Sequence, residues 1–272
     1  MSENKIKPDD GDGGKPEGEE EKLAEGTLIS HLIELRQRLV KATIGVLVVF
    51  LCLAPFAQEV FELVATPLKE VLPEGSQFIV TGIASPFLTP FKTTFFIALF
   101  IAMPIVLYQI WAFVAPGLYR REKRFAIPLL VSSILLFYAG VAFAYFVVFR
   151  LAFRFFIQVT PESVANMPEI SEYLSFVLTI FFAFGLAFEV PVATVILIWS
   201  GLTTVETLAK GRAYIFLGAF VVGMLLTPPD MISQTLLALP MYLLYEGGLL
   251  MARILVVEPR KKEQEADESA AS

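Results

Sequence analysis

The chain has 272 residues, 56% of them apolar, with 25 phenylalanines and a mean hydropathy of +0.68. A soluble core of this length cannot bury so much apolar surface, so the composition excludes a soluble globular enzyme and indicates a polytopic membrane protein. The formal charge of −6 is concentrated at the ends: residues 1–26 carry nine acids against four bases and residues 258–272 five against three, leaving 13 against 14 between them.

Both acidic ends are too polar to bury anything and are expected to be disordered cytoplasmic tails, 1–26 and 258–272, flanking a membrane domain over 27–257. The first of them lacks the basic n-region of a cleavable signal or transit peptide. The next stretch, TLISHLIELRQRL, puts Leu28, Leu32, Leu35 and Leu39 on one helical stripe and His31, Glu34, Arg38 and Lys41 on the opposite face. It reads as an interfacial helix in which Glu34 precedes Arg38 by four residues, the favourable order for a local ion pair. His31 is the sole histidine, so it has no imidazole partner for a metal site.

Six apolar segments follow, near 39–57, 91–113, 126–149, 173–199, 213–226 and 232–251, which predicts an all-α protein with six transmembrane helices. Six crossings place both termini on one side. Fourteen Lys and Arg residues fall on that side, whereas Lys69, Lys92, Arg150 and Arg154 make four on the other; the positive-inside rule then makes both termini cytoplasmic. After the first crossing, VFELVATPLKEVLP aligns Val60, Val64, Leu68 and Val71 on one face, as for a helix lying on the outer surface. Cys52, the only cysteine, allows no intrachain disulfide and reads as a small hydrophobe.

The fourth segment is long and contains Pro191, so it should kink or tilt. The fifth offers about 14 residues, about 21 Å of helix against a hydrocarbon core of about 30 Å. The turn TPPDM, 227–231, forces the last two crossings into a short hairpin, and a long tilted helix beside a short hairpin suggests a concave bundle. The first three crossings do not repeat in the last three.

Three constellations could carry chemistry. In the loop from Phe113 to Arg124, Glu122 stands alone among Arg120, Arg121, Lys123 and Arg124; it is either a solvated charge neutralising its neighbours or an anion presented to a ligand. Glu189 lies inside the fourth crossing, where an ionised carboxylate costs about 2.5 to 3.5 kcal/mol, so it must face protein or water. Met224, Thr227 and Gln234 form a small polar patch at the turn of the last hairpin, open either to mutual satisfaction or to a partner helix. Asp230 follows two prolines and suits a turn or cap. The sequence assigns no place to Glu246.

SHLIELRQRL, APGLYRREKR, FGLAFEVPV and GAFVVGMLLTPPDMISQTLLALPMY, in this order, resemble the TatC family of the twin-arginine protein translocase, over roughly 27–253. The resemblance implies a non-enzymatic receptor for signal peptides with two consecutive arginines, exporting folded proteins on the proton-motive force from a bacterial inner membrane. It implies that Glu34 and Glu122 read the arginine pair, flanked by Phe113 and Leu118, and that Glu189 lies on the concave face near the signal-peptide path. Planar bidentate pairing with carboxylates favours Arg over Lys. Arg36 also matches a family position but lies about 200° around the helix from Glu34, which suits lipid headgroups or helix support. The family's TatA- and TatB-like single-span partners, and further copies of the chain, are implied; Met224, Thr227 and Gln234 would receive the partner helix, and Asp230 is marked as sensitive. No cofactor is implied.

Two other classes compete. An ion-coupled secondary transporter would use Glu189 and Asp230 as proton carriers, but the repeats and paired broken helices of that class are missing. An intramembrane hydrolase needs a Ser/His pair, paired aspartates or HExxH, and a nucleotide site needs GxxxxGK[ST]; HExxH and GxxxxGK[ST] are absent, and the one histidine precedes the membrane.

Overall fold

The computed structural model describes residues 17–69, 78–114, 126–159, 167–226 and 231–257. Among the described residues all regular structure is helical, apart from one isolated parallel bridge between Ile79 and Glu169. Five stretches are long and apolar enough to cross a membrane: Ile29–Thr66, Ser85–Phe113, Ile127–Phe153, Ile170–Trp199 and Gln234–Val256. A sixth, Arg212–Leu226, is apolar but shorter. The count agrees with six crossings.

Helix α1 runs unbroken over Glu17–Leu53, starting inside the acidic segment rather than after it. Pro55 then bends the chain through a single 3-10 turn, Ala54–Phe56, into α2, Ala57–Lys69, where Val64 packs against the Phe149 and Tyr173 cluster. Helix α3, Ser85–Val114, holds Pro90 and Pro104 within one 30-residue helix. Pro104 has no N–H to give to the carbonyl four residues back. The Tyr138 hydroxyl supplies the missing donor, 2.9 Å from the Phe100 oxygen.

Helix α4, Ala126–Phe143, loosens into a π-helical turn over Ala144–Phe149 and continues as α5, Arg150–Val159. The fourth crossing divides where Pro191 predicts: α6, Ile170–Ala187, ends at Phe188, and α7, Val190–Trp199, starts after Glu189. A short helix α8, Val205–Lys210, is capped by Thr204, whose hydroxyl accepts the Thr207 N–H. Helix α9, Arg212–Leu226, has 15 residues, about 22 Å. Helix α10, Met231–Ala252, ends in a π-helical turn, Arg253–Val257.

The helices form an open row. α1 rests on α3, α3 on α4, α4 on α6, α7 on α10 and α10 on α9, in line with the concave bundle expected. Of the most apolar window of each crossing, 6% is buried for the first and 39% for the fourth, so α6 and α7 form the centre and α1 an edge. Two glycines allow the closest approaches to neighbouring backbone: a Cβ on Gly140 would collide with the Phe184 carbonyl, and one on Gly248 would lie 2.8 Å from the Pro191 Cα. Phenylalanines fill the centre, with Phe137, Phe149 and Phe184 all under 2% or at 2% exposed. At the end of the bundle away from the termini, Ile79 ties the two long connections together, donating to Pro168 and accepting from Ile170, both at 3.1 Å.

Candidate functional site

The polar face of α1 is the one that turns inward. Leu32, Leu35 and Leu39 are 63%, 44% and 65% exposed, while Glu34 and Arg38 are partly covered and the stripe continues along the helix into buried Ala42 and Val46. The leucines face outward, and of the four polar residues on the opposite face Glu34 and Arg38 are partly covered on the side of α3, whereas His31 and Lys41 stay exposed. Arg38 donates to one oxygen of Glu34 at 3.3 Å, a long contact. The imidazole of His31 lies against the ring of Phe113, with centroids 4.4 Å apart and planes tilted by 31°. Through that contact the last turn of α3 sits beside the acidic face of α1. Arg36 is exposed. Leu118 and Glu122 lie outside the described residues.

Glu189 sits at the break between α6 and α7. One of its oxygens accepts from the Ser133 hydroxyl of α4, and the other is buried with no hydrogen-bond partner. Ser133 is itself 1% exposed, so the carboxylate faces protein, as its position in the crossing requires.

On the last hairpin, the Gln234 amide donates to the Phe220 carbonyl at 2.8 Å, and a Cβ on Gly223 would press on Gln234 at 3.2 to 3.3 Å. Mutual satisfaction within the hairpin, one of the two alternatives, is thus realised for the amide nitrogen. Met224 is exposed; Thr227 and Asp230 lie outside the described residues. At the other end of the hairpin Glu246 takes two bonds from Arg212, Nε at 2.6 Å and Nη2 at 2.8 Å, and a third from the Tyr242 hydroxyl at 2.9 Å.

Sequence reasoning missed three of these contacts. Arg212 and Glu246 are 34 residues apart, and Tyr138 and Phe100 are 38 apart. The His31 stack on Phe113 is equally remote, although an aromatic ring one turn before Glu34 was visible. Among the described residues no group of three or more His, Cys, Asp or Glu side chains could hold a metal ion.

These features define a multi-pass membrane protein whose polar groups sit at helix junctions. The family model described as "TatC: Sec-independent protein translocase protein (TatC)" matches residues 30–240. The chain is 57% identical over 228 residues to the Sec-independent protein translocase protein TatC of Azotobacter chroococcum mcd 1, covering 84% of this chain and 89% of that one. It is 56% identical to its Escherichia coli K12 counterpart over 237 residues, covering 87% and 92%. A crystal structure described as the twin-arginine translocase receptor TatC superimposes with a TM-score of 0.76 at 39% identity, covering 82% of this chain and 98% of that one. The chain belongs to the TatC family of Sec-independent protein translocase subunits.

Proposed function

We propose that this chain is the signal-peptide receptor of a twin-arginine translocase, and that Glu34 and Glu122 pair with the two arginines. The observation that carries the reading is the partial burial of Glu34 on the side of α1 that packs on α3, where His31, three residues earlier, touches Phe113. A guanidinium entering there finds a carboxylate oxygen, partial shielding from water and an aromatic face, each of which strengthens its binding. Leu118 flanks the arginine pair beside Phe113. Glu189 lies near the continuation of the peptide path, with its carboxyl group turned toward Ser133 of α4. The chain acts by binding and gating rather than by catalysis, with the proton-motive force as the external drive.

The α9 and α10 hairpin is the docking place for TatA- and TatB-like single-span helices, through Met224, Thr227 and Gln234, with Asp230 shaping the turn. Partner docking there must use the Gln234 carbonyl oxygen or displace the bond to Phe220. Both termini face the cytoplasm in a bacterial inner membrane, the acidic ends 1–26 and 258–272 flank the membrane domain 27–257, and several copies assemble in the working complex.

Photocrosslinkers introduced at positions 34 and 122 in native membranes test the site, with an Arg-Arg signal peptide compared against its Lys-Lys version. Crosslinks to the Arg-Arg peptide alone support the receptor; crosslinks to neither peptide would remove it and return weight to Glu189 and Asp230 as ion carriers.

A further inference from the structure

His31 projects from the same face of α1 as Glu34, three residues earlier, so the two side chains start about 5 to 6 Å apart. Its ring is also the contact that reaches α3, 4.4 Å from the ring of Phe113. Phe113 is the penultimate residue of α3, and its side chain is only partly buried. One face of the imidazole is covered by Phe113 while the residue as a whole stays exposed. In α1 the neighbouring apolar residues Leu32, Ile33 and Leu35 point away from protein, at 63%, 52% and 44% exposure. Within this turn the histidine ring therefore supplies the flat surface on which the end of α3 rests.

We propose that His31 is a positioning residue: by stacking on Phe113 it fixes the end of α3 against the acidic face of α1 and holds the phenyl ring beside the Glu34 carboxylate. The inference rests on the receptor reading above for its functional consequence, but not for its structural one. An aromatic contact of this kind carries directional preference beyond area burial, and any flat aromatic ring at position 31 meets the requirement. A polar side chain without a ring does not. The alternative is that His31 touches the peptide through its ring nitrogens, in which case hydrogen bonding and not stacking would be the property to preserve.

The test uses the full chain in lipid nanodiscs, carrying Cys52→Ser and spin labels at Leu35 and Ile110, two exposed positions on α1 and α3. His31→Ala should broaden the distance distribution between the labels and weaken Arg-Arg peptide binding by about 3- to 10-fold. His31→Phe should restore both, and His31→Gln neither. Rescue by Gln but not by Phe would overturn the stacking role, as would a distance distribution indifferent to His31→Ala. If the parent protein binds Arg-Arg and Lys-Lys peptides alike, the receptor reading falls, while the distance measurement still decides whether His31 positions Phe113.

Discussion

Arg212, at the first position of α9, grips both oxygens of Glu246 in α10, and Tyr242 adds a third donor from one turn earlier in the same helix. The pair joins the start of the short helix to a level well inside the long one, six residues before the end of α10. It therefore closes the hairpin at the end opposite Gln234. An acid on a membrane-crossing helix is costly when unpaired and tolerable when its oxygens are filled.

Removing one partner should cost more than removing both. Arg212→Gln and Glu246→Gln should each lower the thermal stability of the detergent-solubilised protein, and the double variant should recover part of the loss, with a coupling of about 0.5 to 3 kcal/mol. Purely additive losses would show that the pair contributes nothing to holding α9 on α10.

Tyr138 and Pro104 should be coupled in the same way. Tyr138→Phe strips the donor from the Phe100 oxygen, at a cost of about 1 kcal/mol for a hydrogen bond in a membrane bundle. In a Pro104→Ala background the helix supplies its own N–H, and the same change should cost much less. Equal costs in the two backgrounds, read by thermal unfolding, would show that the hydroxyl does not serve the proline.

Glu34→Ala and Glu122→Gln should each weaken binding of an Arg-Arg peptide by about 10- to 100-fold, the range of a lost charge-assisted hydrogen bond, without disturbing insertion. Because the Arg38 contact to Glu34 is long and partly exposed, it holds the carboxylate by only about 0.3 to 0.5 kcal/mol. Arg38→Gln should therefore leave peptide binding unchanged or up to about two-fold tighter. A strong loss on Arg38→Gln, measured by titration of labelled peptide, would place Arg38 in the site itself.

The crossings were legible because hydrophobic segments and their flanking charges are local, one-dimensional signals. Pro191 announced the break between α6 and α7, and the count of 14 residues in the fifth crossing came within one of the 15 in α9. Glu34 and Arg38 were legible as an i, i+4 pair for the same reason. Which face of α1 points inward was not, since periodicity gives two faces and the leucine stripe looks like the one to bury. In a bilayer the apolar stripe can face lipid, so the ordinary rule of a soluble core reverses. Glu246 was opaque because its partner is fixed by the packing of α9 on α10, not by spacing in the chain.

Gln234 bonds to Phe220 across the hairpin, and under the proposed docking it would also meet a partner helix. Gln234→Leu removes the bond to Phe220 and any polar contact offered to a second helix, so crosslinks to single-span partners should weaken or move. Gly223→Val separates the two roles, because it leaves the amide intact and pushes on Gln234 from α9, where a Cβ already falls at 3.2 Å. Gly218, around which a Cβ meets nothing within 4 Å, provides the control in Gly218→Ala. Loss of the partner crosslink in Gly223→Val as well as Gln234→Leu, with Gly218→Ala unaffected, would identify hairpin geometry as the docking determinant; an unchanged pattern in all three would count against the patch.

The Ser133 bond to Glu189 leads to the sharpest test of the central helix break. One carboxyl oxygen of Glu189 already lacks a protein partner, so Ser133→Ala would leave both without one. A buried polar group deprived of its partner costs about 1 to 3 kcal/mol, whereas replacing both members by apolar groups of similar shape approaches neutrality. Ser133→Ala should therefore be more destabilising than Ser133→Ala combined with Glu189→Met, a reversal that no packing defect at position 133 alone would produce. Thermal unfolding of the three proteins in one detergent decides it. If the double variant is the less stable, the carboxyl group holds the α6 and α7 junction through contacts other than Ser133, and the hydroxyl is a bystander.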